Sequence, residues 1–193
     1  MMGWHSIGIW GVAVVGWAFG GSAEAETAGP LPAVTGGGHR FVEVTQEAGI
    51  DFRYINGASG DKNMVEAVGS GAAFFDADGD GWLDLYIVNG APMPGYERPT
   101  AGNAHFRNMG DATFKDVTAQ AGTGDTAFGM GAAVGDFDND GDADLYLSNY
   151  GPNVLYRNRG DGVFDDISAQ AGVDDPRWGV HAAFVDYDMD GDL

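Results

Sequence analysis

The sequence contains no cysteine, so disulfide bonds and thiolate metal ligands are excluded. Basic residues are also scarce: 9 Lys and Arg stand against 29 Asp and Glu, and the formal net charge is −20. This imbalance argues against nucleic acid and anionic membranes as partners. The four histidines show no zinc-type spacing, and neither Gly-x-Ser-x-Gly nor Gly-x-x-x-x-Gly-Lys occurs. With 44% hydrophobic residues, the chain is nevertheless apolar enough to fold around a packed core.

An apolar run extends over Ile7–Phe19, shorter than the ~20 residues that a membrane-spanning helix needs. Ala23-Glu24-Ala25 follows it and resembles a cleavage site for a signal peptidase. We therefore predict a signal peptide over residues 1–25, export to the periplasm, cell surface or medium, and no membrane insertion after cleavage. A retained anchor is the alternative, because the segment before the run contains His5 but no Lys or Arg. Residues 26–40 are rich in Pro and Gly and are predicted to be a linker.

The acidic residues concentrate in segments with Asp at positions one, three, five and nine and Gly at position six. Asp76–Asp84 and Asp136–Asp144 show the whole pattern, and a third copy starts at Asp186 and stops at Leu193, one residue before position nine. Carboxylates packed so densely repel one another unless a cation lies among them. A hard dication with six to eight oxygen ligands suits this spacing, and Ca²⁺ is the usual one. An acidic turn without an ion is the alternative.

The pattern predicts two complete Ca²⁺ sites and a truncated third, with the backbone carbonyl of position seven completing the first two. The predicted ligands are Asp76, Asp78, Asp80, Trp82 (carbonyl) and Asp84; Asp136, Asp138, Asp140, Asp142 (carbonyl) and Asp144; and Asp186, Asp188 and Asp190. An EF-hand would need Glu at position twelve, where Ile87 and Leu147 stand. The residues after each loop are typical of buried strands rather than of an exiting helix.

From residue 41 onward the chain repeats itself, with repeats starting near residues 69, 129 and 179. The second repeat contains four predicted strands, Ala132–Asp136, Leu145–Asn149, Val154–Asn158 and Val163–Ser168. An Asn-x-Gly-Asp sequence suited to a hairpin joins the last two strands. Four antiparallel strands at this period make one blade of a β-propeller. Phe41–Gly49 matches the fourth strand and is predicted to be an outer strand. We therefore expect an all-β, partial propeller over residues 41–193, truncated after about two and a half repeats.

These repeats resemble the FG-GAP (VCBS-type) calcium-binding repeats of integrin α-subunit propellers and many secreted bacterial proteins. Phe128-Gly129 supplies the "FG", and Gly90-Ala91-Pro92 is a literal "GAP". Tyr156–Gly162, followed by Phe-x-Asp-Ile-Ser-x-x-Ala-Gly, looks most like the cartilage acidic protein group, although no ASPIC/UnbV module is visible. The resemblance implies a secreted or surface β-propeller that binds Ca²⁺ for structure and presents loops to a partner.

The expected function is that of a non-enzymatic scaffold for adhesion or for interaction with an unknown protein or glycan. The alternative is part of an extracellular polysaccharide lyase or hydrolase, whose catalytic carboxylates cannot be chosen from sequence. Arg53–Val68 and Gly90–Thr100 have no counterpart in the other repeat, so they are either a specific binding surface or tolerated insertions. Arg159-Gly160-Asp161 is an RGD tripeptide, but its Gly and Asp recur in the previous repeat and belong to the turn.

Overall fold

The computed structural model describes residues 41–93, 95–96 and 100–193. The predicted signal peptide and linker lie outside these residues. The described helices and strands lie within one compact unit, residues 46–193. None of the described helices is long and apolar enough to cross a membrane.

The first sheet contains four antiparallel strands in chain order, preceded by the one-turn helix α1 (Met64–Ala67). Its strands are β1 (Ala72–Phe75), β2 (Asp84–Ile87), β3 (Ala104–Asn108) and β4 (Phe114–Asp116). Strand β2 is buried along its whole length, which explains its apolar Leu-Tyr-Ile sequence. The first predicted metal loop joins β1 to β2, so the loop lies between two strands as predicted and not between helices.

The second sheet repeats this order with four antiparallel strands. Its strands are β5 (Phe128–Gly135), β6 (Asp144–Tyr150), β7 (Val154–Asn158) and β8 (Phe164–Asp166). The predicted strand Val154–Asn158 is confirmed at both ends, whereas the first strand begins at Phe128 and contains a register shift between Gly129 and Gly131. The all-β prediction is therefore confirmed as two four-stranded antiparallel sheets, while closure into a ring stays a prediction.

Each sheet is followed by a one-turn helix, α2 (Thr118–Ala121) or α3 (Ser168–Ala171), that the sequence analysis missed. The prediction that the last strand continues through Ser168 is wrong. The Asp166 carboxylate accepts a hydrogen bond from the Ser168 backbone N–H (3.0 Å), and the good helix former Ala follows. Gly122 and Gly172 end the helices with φ of 76° and 69°, a left-handed conformation that favours glycine.

The hairpins joining β3 to β4 and β7 to β8 confirm the predicted Asn-x-Gly-Asp turn. The side-chain oxygens of Asn108 and Asn158 each accept a hydrogen bond from the glycine N–H two residues on, both at 3.0 Å. The RGD tripeptide lies in the second hairpin, where the Arg159 guanidinium pairs with Asp165 and its Nε lies 2.8 Å from the carboxylate. The Asp161 carboxylate accepts a hydrogen bond from the Val163 N–H (3.2 Å). All three residues therefore take part in local structure.

The largest apolar cluster combines residues of both sheets. Its buried members are Phe75, Ala77, Tyr86, Val88, Ala121, Leu145, Leu147, Tyr156 and Phe164. Tyr86 is fully buried, and its hydroxyl donates to the Thr123 carbonyl (2.7 Å). A second cluster packs residues 48–52 against β2 and β3. The two sheets therefore share one core.

Two segments differ from the repeat pattern expected from sequence. The strand predicted over Phe41–Gly49 is not formed: its first residues are exposed, and residues 45–49 form a turn. β4 and β8 each pair with a preceding strand, whereas no described strand precedes residue 41. Residues 179–185 match β1 and β5 in sequence but form no strand, because the described chain has no strand after the third loop to pair with them.

The two segments without repeat counterparts pack against each other. The Asn89 side chain accepts a hydrogen bond from the Ile55 N–H (2.8 Å) and donates one to the Arg53 carbonyl (3.2 Å). Val65 and Ala91 share a buried cluster with Phe128 and Met130 of β5. The first repeat therefore has an additional structured layer whose binding role stays a prediction.

Candidate metal-binding loops

The three acidic loops share one backbone arrangement, built around the first aspartate of each loop. Asp76 accepts hydrogen bonds from the N–H groups of the fifth and sixth loop residues at 3.1 and 2.8 Å. The corresponding distances are 3.1 and 3.0 Å at Asp136 and 3.2 and 3.0 Å at Asp186. The sixth residue is glycine each time, with φ of 88°, 97° and 99°, so the sharp turn needs this residue. Each loop thus curls around its own first carboxylate.

Each loop gathers three aspartates that can each place a carboxylate oxygen within 4.8 Å of the other two. These groups are Asp76, Asp78 and Asp80; Asp136, Asp138 and Asp144; and Asp186, Asp188 and Asp190. Each group could hold a metal ion. The donors are hard oxygens without nitrogen or sulfur, which suits Ca²⁺ or Mg²⁺ better than zinc or copper. Predicted ligands Asp84 and Asp140 lie in the same loops but outside these groups.

The carbonyl ligands at position seven stay a prediction. In the first two loops, the carboxylate at position five holds the backbone of position seven. Asp80 accepts a hydrogen bond from the Trp82 N–H (2.9 Å), and Asp140 accepts one from the Asp142 N–H (3.0 Å). The Trp82 N–H is also the main cause that lowers the pKa of the Asp80 carboxyl, with a smaller contribution from Arg107. The ionised form of this carboxylate is therefore favoured within the loop.

The ninth aspartates are buried and already hold the backbone. Asp84 accepts hydrogen bonds from the N–H groups of Asn108 (2.7 Å) and Ala77 (3.2 Å). Asp144 does the same with Asn158 (2.8 Å) and Phe137 (3.0 Å). Burial raises the pKa of both carboxyls, although the N–H donors oppose the shift. A buried carboxylate of this kind links the loop to the third strand and favours a nearby cation.

The sequence analysis missed a contact between the two sheets at the first loop. The Asn158 amide donates to the Ala77 carbonyl (2.8 Å), which belongs to the first loop, and to the Ala143 carbonyl of its own loop (3.1 Å). Asn158 was visible as part of the repeated hairpin sequence, but its partner lies 81 residues away in the chain. The hairpin of one repeat thus supports the metal loop of the previous one.

A second missed feature is a guanidinium beside each of the first two loops. Arg107 lies 2.6 Å from the Asp78 carboxylate and 3.1 Å from that of Asp80. Its counterpart Arg157 is 4.0 Å from Asp138. The sequence did contain a signal for this feature, because an arginine stands immediately before the hairpin Asn in both repeats. The two loops therefore share a backbone but differ in how closely a cationic side chain approaches.

The third loop has the same local hydrogen bonds but a different setting. No described strand follows it, and the Asn139 amide of the second loop donates to the Asp192 carboxylate (2.5 Å). Asp186 is partly buried, while Asp188 and Asp190 are exposed. The curled loop therefore forms without a paired strand on its far side.

Comparison with known families agrees with this repeated geometry. The model of the FG-GAP-like repeat matches residues 76–147 and again residues 136–193. Each match begins at the first aspartate of a metal loop and continues through the hairpin to the next loop. No curated protein matches the chain. The chain therefore belongs to the family of FG-GAP-like repeat proteins.

Proposed function

We propose that this chain is an exported, non-enzymatic, Ca²⁺-binding β-propeller segment that serves as a scaffold for adhesion or interaction. The observation that carries the proposal is the repeated loop, in which the first aspartate fixes two backbone N–H groups and three carboxylates converge. Three copies of one pre-shaped, all-oxygen site are hard to explain by surface solubility, because each concentrates repelling charge.

The role of the ion would be structural. Asp76 and Asp136 shape their loops, and Asp78, Asp80, Asp138 and Asp140 supply the remaining side-chain charge. Asp84 and Asp144 connect the loops to the third strands through backbone N–H groups. A bound cation would remove the repulsion among these carboxylates and so fix the connection between the first two strands of each sheet. At a Ca²⁺ concentration ten times the dissociation constant, each site adds ~1.4 kcal/mol to folding.

The family and the composition support the proposals of export and of an interaction partner. FG-GAP-like repeats are typical of extracellular proteins, and calcium at the concentrations found outside cells fills sites of millimolar affinity. We assign the chain to the cartilage acidic protein group because its hairpin and strand motifs look like that group's. The partner would be a protein or a glycan that contacts loops on a rigid sheet scaffold.

The first experiment is calorimetric titration of the full chain with CaCl₂, paired with thermal melting in the presence and absence of the ion. We expect saturable uptake of two or more ions and a higher melting temperature with calcium. Asp136→Asn should remove uptake at the second loop and part of the thermal shift. Asp174→Asn is the matched control, since it makes the same change of charge at an exposed residue outside the loops. Calcium uptake that is identical in Asp136→Asn and the unmodified chain would contradict the proposal.

The non-enzymatic part of the proposal has its own test. The chain is incubated with acidic and neutral polysaccharides in calcium, and new reducing ends and unsaturated uronates are measured. No turnover is expected. Calcium-dependent cleavage that disappears when an exposed carboxylate is replaced would instead favour the lyase or hydrolase alternative.

A further inference from the structure

One side-chain amide joins the first two metal loops. The amide nitrogen of Asn158 lies 2.8 Å from the Ala77 carbonyl oxygen of the first loop and 3.1 Å from the Ala143 carbonyl oxygen of the second. An amide nitrogen carries two hydrogens, so these contacts use both of them. Asn158 is 2% exposed, and its side-chain oxygen accepts a hydrogen bond from the Gly160 N–H (3.0 Å). The orientation of this buried amide is therefore fixed by both loops at once.

On the side of the first loop, the acceptor carbonyl belongs to a residue between two predicted ligands. Ala77 follows Asp76 and precedes Asp78, and its N–H donates to the Asp84 carboxylate (3.2 Å). The second hairpin also lies directly against this loop, because a Cβ atom at Gly162 would stand 3.2 Å from the Cβ atom of Asp78. The hairpin of the second sheet therefore restrains the backbone that carries the carboxylates of the first loop.

On the side of the second loop, Asn158 contacts the ninth position. Its backbone N–H donates to the Asp144 carboxylate (2.8 Å), and its side chain donates to the carbonyl of the preceding residue, Ala143. Asp142, whose carbonyl is a predicted ligand, comes just before Ala143. Residues that orient metal ligands in this way typically change metal affinity about 10- to 100-fold when they are replaced. Asn158 is therefore a positioning residue for the second loop as well as for the first.

Asn108 has the same position in the first hairpin and serves as a control. Its N–H donates to the Asp84 carboxylate (2.7 Å), and its side-chain oxygen accepts the Gly110 N–H (3.0 Å). Its amide donates to the Leu83 carbonyl (3.0 Å), which precedes the ninth aspartate of the first loop. These three bonds stay within one repeat, and no described metal loop precedes the first sheet. The bond to the loop of the preceding repeat is thus an addition at Asn158.

We propose that Asn158 couples the first two metal loops, so that a cation in one loop strengthens cation binding in the other. The inference rests on the proposed function. A bound cation fixes the backbone beside its ligands, and Asn158 extends this order to the other loop. That loop then loses less conformational freedom when its own cation binds. Coupling between two sites is reciprocal and typically changes affinity about 5- to 150-fold, and a single amide points to the lower end.

The charges of the two ions act in the opposite sense. Each ion repels the other and neutralises carboxylates that would attract it. This effect acts through space without Asn158, and at about 1 M salt it is screened beyond about 3 Å. Titrations are therefore made in about 1 M KCl, and the contribution of Asn158 is measured as a difference between variants.

The experiment uses Tb³⁺ as the probe, because it binds oxygen sites of the Ca²⁺ type and emits light when a nearby indole is excited. Trp82 belongs to the first loop, whereas Asp142 has this position in the second. The part of the emission that disappears in Trp82→Phe therefore reports binding at the first loop. Asp136→Asn disables the second loop, and we expect it to weaken Tb³⁺ binding at the first loop about fivefold.

Asn158→Ala and its matched control Asn108→Ala test whether this amide carries the coupling. In the Asn158→Ala chain, adding Asp136→Asn should leave the affinity of the first loop unchanged, whereas in the Asn108→Ala chain the fivefold loss should remain. A loss that persists in Asn158→Ala would overturn the inference, as would equal affinity in Asp136→Asn and the unmodified chain. Both outcomes leave the proposed function intact, while no binding of Tb³⁺ or CaCl₂ would overturn it too.

NMR gives a second test that does not depend on the folding of Asn158→Ala. The Asn158 side-chain amide signals should shift when CaCl₂ is added to Asp136→Asn, which keeps the first loop, and to Asp76→Asn, which keeps the second. The Asn108 amide signals should respond in Asp136→Asn but not in Asp76→Asn. Asn158 signals that respond only in Asp76→Asn would show that the amide does not sense the first loop and would overturn the inference.

Discussion

The two sheets have the same strand order, hairpins and loop backbone, yet they differ in the charges placed around that backbone. His105, Lys115 and Met109 in the first sheet correspond to Leu155, Asp165 and Arg159 in the second. In the second sheet Arg159 pairs with Asp165, while Arg157 stays 4.0 Å from Asp138 of its loop. The first sheet instead directs Arg107 at its metal loop. The repeat thus fixes the scaffold, while residues outside the repeated motifs make each sheet chemically distinct.

The largest effect expected is on the core that both sheets share. Leu145→Ala should lower the free energy of unfolding by about 2–5 kcal/mol, because Leu145 is fully buried in the cluster that joins the sheets. Leu85 is its counterpart in the first sheet and packs in the cluster with residues 48–52. Urea denaturation of Leu145→Ala and Leu85→Ala gives the size of each loss in unfolding free energy. Hydrogen exchange then separates the effects of the two variants. Leu145→Ala should reduce amide protection in both sheets, whereas loss confined to the second sheet would show that the cores are independent.

Acid should reveal the difference between His105 and Leu155. Burial lowers the pKa of His105 to about 4, with Asp116 opposing the shift weakly. The unfolded chain binds the proton near the ordinary pKa of 6.5, so stability is greatest above that value and falls as the pH drops toward 4. Between pH 7 and pH 5 the loss is about 2 kcal/mol.

The His105 comparison is measured as a difference between variants, because the loop carboxylates also titrate in acid. His105→Leu should flatten the dependence of unfolding free energy on pH between 7 and 5, and Leu155→His should steepen it. Chemical denaturation of the calcium-free chain at each pH provides the measurement. Parallel curves for His105→Leu and the unmodified chain would show that the pKa of His105 is not lowered.

The hairpin asparagines provide a smaller contrast. Asn158→Ala should cost about 1 kcal/mol more than Asn108→Ala, because it leaves the Ala77 and Ala143 carbonyls without their amide donor. Among the described residues, the side-chain amide of Asn108 donates to one carbonyl, that of Leu83 (3.0 Å). Differential scanning calorimetry of both variants measures the contrast. Equal losses would mean that the hydrogen bond between the sheets adds nothing to stability.

The smallest effect concerns the arginines beside the loops. Arg107→Gln should raise the calcium affinity of the first loop about threefold, because a nearby cation no longer opposes the ion. Arg157→Gln should change the second loop less, since its guanidinium lies 4.0 Å from Asp138. Calcium titration at low and high ionic strength tests both variants. A decrease in affinity in Arg107→Gln would show that the arginine positions the carboxylates rather than competing with the cation.

The features predicted correctly from sequence are those encoded by local spacing. The loop conformation is specified within the segments Asp76–Asp84 and Asp136–Asp144 themselves. The positions of aspartate and glycine determine which backbone N–H groups the first carboxylate of each loop can reach. Val154–Asn158 was bounded correctly by the loop before it and the hairpin after it. Helices α2 and α3 escaped prediction because a single helical turn is too short to show a 3.6-residue apolar period.

Contacts between repeats could not be predicted. Nothing near Asn158 in the sequence specifies Ala77 as its partner, and the approach of Arg107 to Asp78 depends on how β3 lies against the loop. In the sequence, His105 stands where the second repeat has Leu155, but its burial depends on packing with the second sheet. The local hydrogen bonding of the loops was therefore predictable, and the contacts between the two sheets were not.

The hydrogen bond from Asn158 to Ala77 also bears on how such a chain can grow. The first repeat supplies a loop carbonyl, and the second supplies the hairpin amide that donates to it. A duplicated repeat would arrive with complementary halves already in place. The array can thus lengthen by gene duplication without inventing a new interface, while positions such as 105 and 115 remain free to diverge.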